Sequence, residues 1–171
     1  MTVTRSRVAA VVVVLVGLAA CGSDSKTKNL STGDVTDLPS GNADGTAFTG
    51  TYVIADSSID GCDCRQGPCS GWHASSGHQI LVKQDNGALS MDEKDSFGAE
   101  PCRGGIDKNG KFWCGYSYRA NDLSLLGLWE GTGVATKSFD VTSNLTVAGT
   151  IDGQYYDCDV QGHFRAPYVG P

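Results

Sequence analysis

Apolar and polar residues alternate with a period of two along much of the chain after residue 46. Over residues 154–165 one side carries Tyr156, Cys158, Val160, Gly162 and Phe164. The other carries Tyr155, Asp157, Asp159, Gln161, His163 and Arg165. Successive strand residues point to opposite faces, so this pattern predicts a strand with one buried face. Residues 144–152 alternate likewise through Leu145, Val147, Gly149 and Ile151. Asp152-Gly153 separates the two runs and predicts a tight hairpin, because Gly accepts positive φ. A third run, 111–120, puts Phe112, Cys114, Tyr116 and Tyr118 on one side, after the turn Asp107-Lys108-Asn109-Gly110. GHQILVKQ and ALSMDE predict another hairpin around Asp85-Asn86-Gly87, with Leu89 and Met91 facing in. Residues 46–55, 123–135 and 138–143 read as further strands. Gly127, Gly131 and Gly133 predict a bend or bulge in the second of these. No window of eleven or more residues shows a 3.6-residue period. The expected fold is all-β: a single small antiparallel barrel or sandwich of about eight strands. Short turns between sequential strands favour the barrel.

Before residue 46 the pattern changes twice. Arg5 and Arg7 precede an unbroken apolar or small-residue run from Val8 to Ala20. Such a run is too short to cross a hydrocarbon core of ~30 Å, which takes roughly 20 residues, and it fits the apolar region of a secretory signal peptide. From Gly22 to Gly45 the apolar residues Leu30, Val35, Leu38 and Ala43 are sparse and aperiodic among Ser, Thr, Gly, Asp and Asn. A segment so poor in apolar surface is expected to be a flexible tether, with a mean reach of roughly 25–30 Å.

Leu18-Ala19-Ala20-Cys21, directly after the apolar run, resembles the lipobox of bacterial lipoproteins. The resemblance implies cleavage between Ala20 and Cys21 and attachment of acyl chains to Cys21. Two or three chains anchor stably where one is marginal, since each buried CH₂ contributes about 0.8 kcal/mol. The expected organisation is therefore a cleaved signal peptide over 1–20, a lipidated Cys and tether over 21–45, and a β-domain over 46–171. The expected location is the cell envelope, lipid-anchored outside the cytoplasm. Loss of Arg5 and Arg7 leaves 11 basic against 19 acidic side chains, a net charge of −8. With no basic cluster, nucleic-acid binding is not expected, and the acidity reads as solubility.

With Cys21 assigned to lipid, Cys62, Cys64, Cys69, Cys102, Cys114 and Cys158 remain. An even count outside the cytoplasm predicts three disulfides. Cys62 and Cys64 lie too far apart along an extended chain to bridge each other easily, so one of them is expected to close on Cys69 or Cys102. The stretch CDCRQGPC, residues 62–69, reads as a loop after the first strand, pinned by such bridges. A metal site from Cys62, Cys64, Cys69, His73 and His78 is the alternative. Its C-x-C-x₄-C spacing differs from the usual zinc pairs, and it would strand three cysteines. No C-x-x-C motif is present for thioredoxin-like chemistry.

Gly50-Thr51-Tyr52 resembles the Gly-x-Trp that opens lipocalin-type calycin barrels, with Tyr in place of Trp. That resemblance implies a barrel-end pair between Tyr52 and an Arg on the last strand, here Arg165. Periplasmic metalloprotease inhibitors share the layout, but no inhibitory N-terminal segment maps onto this chain. His163 falls on a polar face. Ser70, Ser75 and Ser76 lie near His73 and His78 without a nucleophile elbow. Asp92-Glu93 and Asp157/Asp159 read as solvated groups, and Trp72, Trp113 and Trp129 as core or pocket rim. No phosphate loop, dinucleotide fingerprint or EF-hand loop occurs. The expectation is a non-enzymatic envelope lipoprotein with a structural or binding role and no cofactor. It would contact the membrane through its anchor, with a protein or small apolar ligand as further partner. The alternatives are a calycin-like small-ligand carrier or protease inhibitor, and an envelope hydrolase. A carrier calls for an apolar cavity of roughly 300 Å³ or more. A binding module calls for a filled interior, and an enzyme for converging reactive groups.

Overall fold

The long alternating runs form the strands they predict. The computed structural model describes residues 27–70, 76–94 and 100–171. Among the described residues, one short helix, α1 (Thr32–Thr36), precedes nine strands: β1 (Gly50–Val53), β2 (Ser57–Gln66), β3 (Gln79–Asp85), β4 (Ala88–Glu93), β5 (Cys102–Ile106), β6 (Lys111–Ala120), β7 (Leu123–Val134), β8 (Ser138–Ile151) and β9 (Gln154–Gly170). Sequential antiparallel pairing runs from β3 to β9. β1 pairs with β3 on one side and with the end of β9 on the other, which closes an eight-stranded barrel. The hairpin turns are as expected. Asp152 and Gly153 adopt φ values of 49° and 80°, and Asn86 one of 52°, in the region that two-residue hairpin turns require. The segments read as 138–143 and 144–152 are one continuous strand, β8.

Strand length divides the barrel into two parts. β3, β4 and β5 have 7, 6 and 5 residues, whereas β7, β8 and β9 have 12, 14 and 17. The longer strands run past the barrel as an overhanging sheet. β9 shares its free edge between two partners. Its last residues pair with β1 and its first half with β2, Cys64 opposite Cys158. The stretch expected as a loop at 62–69 is therefore mostly strand. Its Gly, Asp and Cys content has low strand propensity, but the β9 edge supplies a ladder of hydrogen bonds that overrides propensity.

Barrel-facing side chains fill the interior. Tyr52, Ile80, Val82, Met91, Ile106, Phe112, Cys114 and Phe139 are all almost fully buried. Phe139 takes edge-on contacts from Tyr52 at 4.9 Å and Phe112 at 5.2 Å between ring centroids. Such pairs contribute about 0.5–1.5 kcal/mol beyond their buried area. Gly127, Gly131 and Gly133 do not bend β7, whose pairing with β6 and β8 is uninterrupted. They make room instead: a Cβ at 127 would meet the Tyr116 ring, and one at 133 the Phe139 ring. One barrel end is closed by the turn before β1. Phe48 is buried there, its carbonyl accepts from the Tyr52 hydroxyl at 3.0 Å, and its N–H donates to Gln84 Oε1 at 3.0 Å.

The tether reading fails for residues 27–45, which lie on the barrel as a strap. Leu30 and Val35 are buried with Leu128 in a second small core on the outer face. Leu30 N–H donates to Thr146 Oγ1, Trp113 Nε1–H to the Pro39 carbonyl, and Gly41 N–H to the Gly87 carbonyl. α1 crosses β6 and β7. The Asp34 carboxylate accepts from the Ser31 hydroxyl and N–H and pairs with Lys28, which together hold it down to about 2. Gly87, Gly105 and Gly115 form the bed of the strap. A Cβ at any of them would lie within 2.4 Å of its backbone. Four scattered apolar residues suffice because the barrel supplies the surface that buries them.

Candidate functional site

Three inward-facing polar groups gather at the barrel end opposite Phe48. His78 precedes β3, Glu93 ends β4 and Tyr116 lies within β6. His78 Nδ1 and Glu93 Oε1 are 3.0 Å apart. Burial pushes the Glu93 carboxyl up, and the His78 hydrogen bond offsets only part of that. Burial, with the nearby Glu93 charge, also raises the Tyr116 hydroxyl. Tyr116 stacks edge-on with Trp129 at 5.9 Å, and Trp129 with Phe164 at 5.3 Å. The imidazole and the carboxylate share one hydrogen bond. Among the described residues the group faces no nucleophile and no pair of free backbone amides, so the geometry offers no reaction centre.

Glu93 was expected to be solvated, yet it has the same inward phase as Leu89 and Met91. Trp129 is core, as one of the two readings had it, while Trp113 lies outside under the strap. Trp72 and His73 lie outside the described residues, as do Ala20, Cys21, Ser75 and the whole of 1–20.

The six remaining cysteines form three disulfides. Cys62 joins Cys69, Cys64 joins Cys158, and Cys102 joins Cys114, with Cα–Cα distances of 5.9, 4.0 and 5.4 Å. Cys62 closes locally and Cys64 reaches to another strand. The first two bridges sit side by side on the overhang, where Cys64 Sγ lies 3.4 Å from both Cys62 Sγ and Cys69 Sγ. Cys62, Cys64 and Cys69 are thus close enough to share a cation. As disulfides, however, they offer no thiolate, the form that binds zinc. His78 is turned to Glu93 and adds nothing to them.

Two other expected or suggestive groupings dissolve in three dimensions. Tyr52 and Arg165 do not meet. Tyr52 points into the barrel, against Phe139 and Tyr168, and burial pushes its hydroxyl up to about 12. Arg165 is on the outer phase of β9, exposed, 3.8 Å from Asp140. The period-2 pattern already set them on opposite sides of the wall. On the outer surface Ser58, Asp60 and His163 cluster, but not as a catalytic triad. Ser58 Oγ lies 3.2 Å from Nδ1 and 3.4 Å from Nε2 of His163, Asp60 lies 2.9 Å from Nδ1, and the Ser58 hydroxyl donates to Asp60 at 3.0 Å. In a triad the nucleophile gives its proton to one ring nitrogen while the carboxylate holds the other; here the hydroxyl bonds the carboxylate directly.

A further polar knot, not read from the pattern, ties strap to overhang. Asp159 is buried on the outer face of β9. It accepts from Thr146 Oγ1 at 2.7 Å, Arg65 Nη1 at 2.9 Å and Asn29 Nδ2 at 3.0 Å. Burial alone would raise this carboxyl, but the three donors and the Arg65 charge hold it below the ordinary range. Arg65 also pairs with Asp157.

Two clefts open on the outside. One, of about 310 Å³, runs between strap residues Val35 and Leu38 and the β5–β6 surface at Arg103 and Gly115. The other, of about 460 Å³, lies over Gly131 between Asp140 and Arg165. No known protein family, curated protein or solved structure matches the chain.

Proposed function

We propose that this protein is a lipid-anchored lipoprotein of the bacterial cell envelope, acylated at Cys21, whose disulfide-stapled barrel has a non-enzymatic binding or structural role. The observation that carries the reading is the pairing of all six remaining cysteines. Bridges of this kind persist in oxidising compartments and are rare in the cytoplasm, which supports the export signal read at residues 1–21. The aromatic and aliphatic side chains packed through the barrel favour a role for its outer surfaces over carriage of a ligand within it. The Ser58–His163–Asp60 and His78–Glu93–Tyr116 geometries give no support to a hydrolase.

Two measurements test this. Acyl labelling of wild type and Cys21→Ala in a bacterial host should show label and membrane fractionation for wild type only. Equal labelling of the two would sink the anchor. Native mass spectrometry of the purified protein should show the mass of the acylated chain alone. An additional apolar species, removable by solvent extraction, would instead favour the carrier.

A further inference from the structure

The lipid attachment site and the start of the strap are six residues apart. A chain spans at most about 3.3–3.6 Å per residue, so Cys21 lies within roughly 22 Å of Thr27, whatever path the intervening residues take. Strap residues just after Thr27 are fixed in place. Asn29 bonds Asp159 and Leu30 bonds Thr146, two residues that are direct partners across β8 and β9. The strap then runs away from β9 over β7 and β6 toward the β4–β5 side. Thr27 therefore lies over the overhang, on the β9–β2 side.

The two ends of the molecule are unequally placed from that point. Along β8, Thr146 is six residues from the Asp152 turn, about 20 Å at a strand's rise. In the other direction it is eight residues from Ser138 at the closed end, about 27 Å. The connection brings a bilayer holding the Cys21 acyl chains to the nearer overhang tip, at about 20 Å, more readily than to the closed end, at about 27 Å. At the tip, Tyr155 is 46% exposed and Tyr118, Leu123 and Ile151 are partly exposed. A tyrosine ring is suited to a headgroup layer, having an apolar body and a polar end. Val134 and Val169 are more exposed, at 51% and 57%, but they belong to the closed end. Asp122 and Asp152 at the tip suit a zwitterionic surface better than an anionic one.

We propose that the short connection from Cys21 seats the overhang, through Tyr155 and the β6–β7 and β8–β9 turns, on the headgroup layer of a zwitterionic bilayer, with the closed barrel end pointing away. This rests on the acylation of Cys21. The test uses the full-length chain, processed in a bacterial host and reconstituted in phosphatidylethanolamine–phosphatidylcholine vesicles. Intact mass first establishes the acyl group, and its absence overturns both readings. In the acylated protein, amide exchange at 119–123 and 151–157 should slow severalfold on reconstitution, while 85–87 and 107–110 stay unchanged. A twenty-residue Gly/Ser insert between Lys26 and Thr27 should abolish the slowing without altering acylation. Slowing at the closed end, at neither end, or undiminished by the insert overturns the seating and leaves the anchor standing.

Discussion

Asp159 shows how one residue can join parts of the chain more than a hundred positions apart. Its three donors come from the strap, from β2 and from β8. Because the fold favours its ionised form, its folded pKa lies below its unfolded one. The stability this gives is fully present above the ordinary value near 3.8 and is lost as pH falls through the depressed folded value. Asp157, lowered chiefly by its hydrogen bond from Arg65, acts in the same direction. Asp159→Asn should cost about 2 kcal/mol near neutral pH, the scale for hydrogen bonds to a charged group. Urea unfolding as a function of pH checks this: the gap to wild type should narrow below pH ~4 as the native carboxylate protonates. A gap of constant size would mean that the ionised form is not what matters. Glu93 has the opposite sign. Burial raises its folded pKa, so its contribution is full below the unfolded value and falls as pH rises through the folded one.

At the scale of elements, the strap depends on missing side chains. Gly115 faces outward from β6, and a Cβ there would sit 2.3 Å from the Val35 carbonyl oxygen. That atom belongs to backbone, so the clash can be relieved only by moving the strap. Gly115→Val should destabilise the protein by about 1–3 kcal/mol, the usual cost of overpacking, and loosen residues 30–42 first. Limited proteolysis should cut the variant within that stretch while its β-sheet circular dichroism is retained. Cleavage no faster than in wild type would show that the strap can shift without detaching. β2 depends similarly on a partner. It pairs with β9, and two bridges, Cys62–Cys69 and Cys64–Cys158, hold it where its composition alone would not.

Over the whole molecule the three bridges differ in exposure, and Cys64–Cys158, with Cys64 half-buried and Cys158 buried, falls between the other two. Cys69 is exposed, whereas Cys102 and Cys114 are buried within the barrel. A reductant reaches the first without unfolding and the last only when the barrel opens. Stepwise reduction with alkylation and mass mapping should therefore open Cys62–Cys69 first and Cys102–Cys114 last. The last step should follow the global unfolding transition in denaturant. Early loss of Cys102–Cys114 would mean that the barrel end at Glu93 admits reagent. The same division into barrel and overhang shapes the functional reading. Aromatic and aliphatic side chains pack through the barrel, so the contacts proposed above fall to the overhang and the outer wall.

How much of this is legible in the chain follows from the range of the forces involved. Alternation along a strand and the geometry of a two-residue turn are local, so β3, β4, β6 and the β8–β9 hairpin can be read from a dozen residues each. Even Gln84 and Glu93 carried a local sign, since each is a polar residue in the inward phase of its strand. Tyr52 and Arg165 carried one too, lying on opposite sides of the wall. By itself the sequence determined an all-β chain, and it carries six cysteines after the lipobox-like Leu18-Ala19-Ala20-Cys21. Only the tertiary structure decided the strap, the strand at 57–66, the choice among disulfide pairings and the burial of Asp159. Each of these depends on a surface assembled from distant segments: a glycine bed from the β3–β4 turn, β5 and β6, or the open edge of β9. Burial on such a surface repays the ordering of a chain that has too little apolar area to order alone.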